Sequence, residues 1–352
     1  MRLIQYMISD IGRRVGLIED DLVFDLSSFN SDWNSIYKIF LEALQAGKNL
    51  EEYIYNSDFR KSPVTLGYRE LLTYRPGEKI WILLPIDHPD PAHCIVTGTG
   101  LTHLGSASQR NTMHKIAVHL SDGGTTDESP NKTDSQKMFE MGLEGGKPES
   151  GKRGIQPEWF YKGTGSILRG YNDFLDIPSF SEDCGEEPEI VGCYVIDNNR
   201  TPYRLGFTIG NEWSDHITER GNYLWLAASK LRTCSIGPEL ITSQSFKDIR
   251  GCCRIYRGST IIYNSGELLT GEDNMSHSLA NLEDHHFKFP QFRVPGDVHI
   301  HYFGTMKLSS GSRGTFKNDD RIQIHFDGMG SDLVNYVRRI SLDSIPITVQ
   351  KG

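Results

Sequence analysis

The stretch that decides the fold begins Gly185-Glu186-Glu187-Pro188-Glu189. It continues through residues 190–196, Asp197-Asn198-Asn199-Arg200 and residues 203–209, and ends at Asn211-Glu212-Trp213-Ser214-Asp215. Glu187 and Glu189 are two residues apart, and in extended chain such side chains point the same way. Asp197 to Arg200 is a turn signal between two β-like runs. A hairpin centred between Asn199 and Arg200 sets residue 187 opposite residue 212, which is Glu. Opposed strand positions bring Cβ atoms to within about 5 Å. Three carboxylates then converge at one end of a hairpin, and a shared cation is the natural reason to hold such mutually repelling groups together. Hard oxygen ligands suit Mg²⁺ (or Mn²⁺), while zinc would normally bring His or Cys. On pattern alone, an acidic solvated loop is the commoner fate, since Glu182, Asp183 and Glu186 lie alongside.

Working outward, short β-like runs separated by turn residues dominate from residue 158 onward, with helical stretches only at 222–230 and 276–287. Many strands and few helices predict an α+β, mostly β fold with a mostly antiparallel core, not alternating βαβ units. Upstream, residues 3–7 and 15–26 read as strands. Residues 33–45 read as a helix capped by Asp32 and stopped by Gly47, and 79–84 as another strand. This predicts a small N-terminal α/β domain over 1–85 and a catalytic domain over 92–352, joined through Pro85, Pro89 and Pro91. Residues 121–157 are polar, with a helical stretch at 133–143, and read as a lid insertion.

The 352 residues carry a net charge of −9 with no basic stretch, which argues against nucleic-acid binding. No apolar run is long enough for a bilayer, and the first residues lack a signal-peptide core, so neither membrane nor secretion is expected. The six cysteines form no C-x-x-C pair. They read as reduced thiols of a cytoplasmic protein.

At this point the sequence resembles the fumarylacetoacetate hydrolase superfamily. Residues 185–189 are similar to its E-x-E motif. Asn211-Glu212-Trp213-Ser214-Asp215 is similar to its N-D-x-S-x-R-D motif, with Glu for the ligating Asp, and with His216 and Ile217 where Arg-Asp would follow. Phe160-Tyr161-Lys162-Gly163 is similar to F-x-K-P. Ser229-Lys230 with Ile236-Gly237-Pro238 matches a further segment, and Pro295-Gly296-Asp297 with Phe303-Gly304-Thr305 matches the closing one. Gly98 to His103 resembles the segment that carries the family's His. These matches span roughly residues 92–330 in the family's order. A bacterial subgroup described as 2-keto-3-deoxy-pentonate (arabonate) dehydratase-like shares the E-W-F-Y-K-G, G-E-E-P-E-I, S-K-L-R and G-D-V-H-x-H-x-F-G-T stretches.

The resemblance implies a β-roll catalytic domain, usually paired as a homodimer, acting on a small 2-keto acid. It implies Mg²⁺ held by Glu187, Glu189 and Glu212. His103 or Lys230 becomes the acid/base group, and Lys162, Gly163, Thr305 and Arg110 become substrate-binding residues. Each has a bland alternative: a hydrogen-bonded loop His, a charge at a helix end, a tight turn, a strand end, an exposed cation. His114 is in the same position as Arg110. His299 and His301 share a strand face, where hydrogen-bonded sheet residues are the commoner case, and adjacent His285 and His286 diverge on a helix. The family's water-activating Glu, three residues after its His, is Ser106 here. That departure counts against hydrolysis and is compatible with the expected reaction, dehydration of a 2-keto-3-deoxy sugar acid through a metal-stabilised enolate. C–C hydrolysis of acylpyruvates or 2,4-diketo acids, decarboxylation, and a non-catalytic sugar-acid-binding protein remain the alternatives.

Overall fold

The computed structural model describes residues 1–62, 64–105, 133–341 and 346–352. Arg110, His114, Ser106 and the first part of the expected lid, 121–132, lie outside the described residues.

Two sheets carry the described chain, as the strand-rich pattern predicts. In the larger, the ladder passes from Arg2–Ile8 to Cys234–Ile241, Pro202–Asn211, Pro188–Ile196, Val298–Tyr302, Cys94–Gly100 and Glu158–Thr164. The smaller is built on Ile249–Arg257, Arg321–Phe326 and Leu333–Arg339. Most pairings are antiparallel, but Val298–Tyr302 runs parallel to Cys94–Gly100, and Leu333–Arg339 parallel to Phe174–Ile177. The sheets are thus mixed but mostly antiparallel, as expected.

The hairpin forms where the sequence places it. Every residue of Pro188–Ile196 is buried, which is why it lies mid-sheet and reads as nearly unbroken apolar sequence. One face of this strand contributes Ile190, Tyr194 and Ile196 to a core between the sheets, closed by Phe207, Phe246, Phe287 and Phe303. The other face contributes Val191, Cys193 and Val195 to a second core. That second core includes Leu3, Val15, Trp33, Ile36 and Phe40.

The first 85 residues thus share both a core and a sheet with the rest: Leu3 pairs with Leu240 across the ladder. The helix begins later than expected. Ser35 caps Ile36–Gln45 through Lys38 N at 3.2 Å, and Asp32 is outside it. Ser35 itself is extended (φ −152°, ψ 148°), so the helical stripe of Ile36, Ile39, Phe40 and Ala43 starts after it, and Trp33 packs into the same core from outside the helix. The expected strand 15–26 is broken into Gly12–Glu19 and Leu22–Asp25 by a turn at Asp20, whose φ is 54°.

Residues 133–157 are packed against the body. Thr133 caps Asp134–Gly145, Phe139 meets Leu101, and Asn281 bonds both Gly154 N and Ile155 O. The six cysteines are free thiols; Cys252 alone is half-buried, the others buried.

Candidate metal centre

Glu187, Glu189 and Glu212 come together at the far end of the hairpin from its turn. Pro188 pairs with Asn211, and Glu212 N donates to Glu187 O at 3.0 Å, so residues 187 and 212 are opposed. One oxygen from each of the three carboxylates lies within 4.8 Å of the others. All are buried, at 7%, 1% and 0% exposure, so the acidic loop is not a solvated one here. Its other acids turn away. Glu186 accepts from Ser309 N at 2.8 Å and Ser309 Oγ at 2.5 Å, and Asp183 pairs with Arg313 at 2.9 Å.

Glu187 and Glu189 are each held at one oxygen, Glu212 at both. Glu189 Oε2 accepts from Gly304 N at 2.7 Å. Gly304 has φ +98°, and a Cβ there would lie 2.2 Å from Thr102 Oγ1. Only glycine lets this backbone turn its N–H onto the carboxylate while Thr102 packs behind it. Glu212 Oε1 accepts from Ser214 Oγ at 2.9 Å and pairs with Lys162 Nζ at 2.5 Å. Glu187 Oε1 accepts from Lys230 Nζ at 2.6 Å and meets His216 Nε2 at 2.9 Å. Lys230 also reaches Glu212 Oε2 and Ser214 Oγ, and lies over the Phe160 ring at 4.6 Å.

The charges sort themselves accordingly. Burial raises the Glu187 carboxyl, but the Lys230 ammonium and the His216 hydrogen bond outweigh it and hold it well below the usual range. Burial, then the repulsion of Glu187 and Glu212, pushes Glu189 well above that range. Burial and Glu187 raise Glu212 against the opposing pull of Lys162. Mutually repelling carboxylates of which two are pushed upward are what a cation would relieve. Three carboxylates, no thiolate and a hard-oxygen donor set fit a magnesium-class ion.

The other expected site residues fall as follows. Lys162 is buried and donates to Trp213 O at 2.6 Å and Lys230 O at 2.9 Å as well as meeting Glu212. An ammonium has three protons, so all are committed within the protein. Lys162 therefore braces Glu212; the expectation that it holds a ligand carboxylate is redirected to that task. Gly163 has φ +151° beside a bulge in the Glu158–Thr164 pairing and carries no side chain to the cluster. Thr305 is buried next to Gly304, with Oγ1 donating to Lys307 O at 3.2 Å. His103 is buried, its ring nitrogens 3.0 Å from Thr102 Oγ1 and 3.1 Å from Thr270 Oγ1, and burial pulls it down to about 3. Among the described residues no hydrogen bond joins it to the three carboxylates.

His299 and His301 are hydrogen-bonded sheet residues, to His286 at 3.0 Å and Thr97 at 2.7 Å. His285 bonds Gly154 O at 3.0 Å, away from His286. Sequence reasoning missed His216 and Ser214 as partners of the carboxylates. The available signal for His216 was Gly185, the one residue whose missing Cβ makes room for its ring.

No family model matches the chain, and no curated protein matches its sequence. Solved structures do match. One is 2-keto-3-deoxyarabinonate dehydratase in a hexagonal crystal form, with a TM-score of 0.66 at 19% identity over 97% of this chain and 100% of that one. The 2-keto-3-deoxy-D-arabinonate dehydratase complexed with magnesium and 2,5-dioxopentanoate gives 0.65 at 19%, over 97% and 99%. Maleylpyruvate hydrolase from Sphingobium sp. SYK-6 gives 0.54 at 13%, over 96% and 100%. Likeness at such identities is a likeness of fold, and the chain shares the fold of these dehydratase and hydrolase structures over nearly its whole length.

Proposed function

We propose that the protein is a magnesium-dependent enzyme of the fumarylacetoacetate hydrolase superfamily which dehydrates a 2-keto-3-deoxy sugar acid, a pentonate such as the arabinonate. The observation that carries this reading is the burial and convergence of Glu187, Glu189 and Glu212. It is supported by the likeness to a dehydratase complexed with magnesium and 2,5-dioxopentanoate.

The three carboxylates would hold the ion, which when bound supplies Lewis acidity to the keto oxygen of a 2-keto acid. The chain's own residues do the rest. The two lysines and His216 fix the carboxylates, so the site does not have to reorganise during reaction. Loss of water breaks C3–H and C4–O, so one group must take a proton from C3 and a proton must reach the departing hydroxyl. Lys230, an ammonium touching two of the three carboxylates, would give a proton from Nζ to the departing hydroxyl. His103, held between two threonine hydroxyls and kept neutral by burial, would be the group to take the C3 proton.

C–C hydrolysis of 2,4-diketo acids is the other reading, favoured by the likeness to maleylpyruvate hydrolase. The deciding experiment incubates the purified protein with Mg²⁺ and a panel of 2-keto-3-deoxy-pentonates and 2,4-diketo acids, with and without EDTA. EDTA-sensitive conversion of a pentonate to a 2-oxo-semialdehyde supports the dehydratase. Cleavage of a diketo acid into two carboxylic acids replaces it with the hydrolase. No turnover of any 2-keto acid leaves a non-catalytic binding protein.

A further inference from the structure

We infer that His216 is the positioning residue for Glu187: its Nε2–H fixes one carboxylate oxygen so that the other is turned to the cation. This rests on the metal-centre reading above and adds the residue that sets one ligand's orientation.

Both donors to Glu187 fall on the same oxygen, Oε1: Lys230 Nζ at 2.6 Å and His216 Nε2 at 2.9 Å. Oε2 receives no hydrogen bond among the described residues. The two donors are not equivalent. Lys230 is divided among Glu187, Glu212 and Ser214, on a long unbranched stem. A cation entering the cluster competes with it for Glu212. His216 touches Glu187 alone of the three carboxylates, and its ring is rigid.

The local chain is shaped to put the ring there. Asp215 caps the short helix His216–Gly221 through Thr218 N at 2.9 Å and is tied to Arg232 at 2.8 Å. His216 is the first helical residue, so its direction is set by that cap. Opposite it, Gly185 is bridged to Ser214 by two backbone hydrogen bonds, of 2.8 and 3.1 Å. A Cβ on Gly185 would lie 2.3 Å from His216 Nδ1. The ring reaches Glu187 only because residue 185 has no side chain. Nδ1 is buried and has no hydrogen-bond partner among the described residues. A proton on Nε2 and a bare lone pair on Nδ1 satisfy this arrangement, whereas a proton on Nδ1 would be a buried donor with no acceptor.

The other two carboxylates are also held by protein donors, Glu189 at one oxygen and Glu212 at both. Glu189 is pinned by Gly304 N, and Glu212 by Lys162 and Ser214. His216 is the corresponding pin for Glu187. Such partners orient metal-ligating carboxylates, and their loss costs about 10- to 100-fold in metal affinity.

The test is Mn²⁺ titration by calorimetry, without substrate, on the full chain and three variants. His216→Leu keeps the bulk and removes the donor. His216→Gln keeps an N–H that can reach Oε1. Gly185→Ala pushes the ring away. We expect His216→Leu and Gly185→Ala to weaken Mn²⁺ binding about 10-fold or more, and His216→Gln to stay within about threefold of wild type. Melting temperatures measured without metal identify any variant that fails to fold. If the Leu variant does so, the Gln and Gly185→Ala pair carries the comparison. Wild-type affinity in His216→Leu, or a Gln variant as weak as Leu, overturns the inference alone. A wild-type protein that binds no Mn²⁺ overturns it together with the metal-centre reading.

Discussion

Lys162 Nζ lies 2.5 Å from Glu212 Oε1, with both side chains fully shielded from water. It also ties the backbone of Trp213 to that of Lys230. Removing Lys162 takes one of two lysines from the buried Glu212, Lys230 remaining on Oε2, and leaves two buried carbonyls without that donor, which costs about 1–3 kcal/mol. Lys162→Met is therefore expected to lower the unfolding free energy by that order in a urea titration. Adding Glu212→Gln should recover part of the loss. A double variant that loses the full sum of the two single effects would show that the pair does not interact.

Metal binding should raise the melting temperature, because an ion that binds only the folded state stabilises by mass action, about 2.7 kcal/mol at a hundredfold excess over Kd. Thermal melts with increasing Mg²⁺ or Mn²⁺ measure this directly. Glu187→Gln and Glu189→Gln, each removing a ligand, should abolish the shift. A persistent shift in both would place the ion elsewhere.

Glu189 gives a pH dependence of definite sign. Its folded-state pKa is raised above the ordinary 4.5, by burial and by Glu187 and Glu212. The folded state thus binds the proton more tightly than the unfolded one. That contribution is complete below about pH 4.5 and is lost as pH rises through the folded-state value. In metal-free protein, Glu189→Gln should flatten the fall in stability on the alkaline side of 4.5. Mn²⁺ affinity of the wild type should move the other way and increase with pH, since the ligand must give up its proton.

The buried histidines predict the opposite slope. Burial draws His103, His299 and His301 each down to about 3. Here the unfolded chain binds protons that the folded one refuses. Stability is complete above the ordinary value of 6.5 and is lost as pH falls toward 3, at about 1.4 kcal/mol per pH unit for each group. His301→Gln should remove one proton's worth of that slope between pH 6 and 4, read from urea midpoints. An unchanged slope would mean that His301 takes up its proton in the folded protein.

The convergence of Glu187 and Glu212 was legible in the sequence because a hairpin register is a local quantity. Counting from the turn gave the right opposition at the far end, although Ile196 pairs with Pro202 nearer the turn, one position off that count. An irregularity between Cys193 and Tyr194 absorbs the difference. The boundaries of the Ile36–Gln45 helix were less accessible, since Ser35 and Asp32 are both good caps and the local sequence does not choose between them. The roles of Lys162 and His216 were not legible. Each depends on what stands across a gap in space, and no periodicity of their own segments reports that. Alternation did place Lys162 on the same side of its strand as Phe160, where its burial could have been suspected.

The two lysines that meet the carboxylates have a consequence for how the protein is made. Zinc-finger peptides stay unfolded until their ion arrives, because nothing else neutralises the ligands. Here Lys162 and Lys230 are already in place as internal counter-ions. The polypeptide can finish folding off the ribosome before it meets an ion, and a chelator can empty the site while the architecture stands. Loading becomes an exchange of one cation for another, open to regulation by the supply of divalent ions long after synthesis.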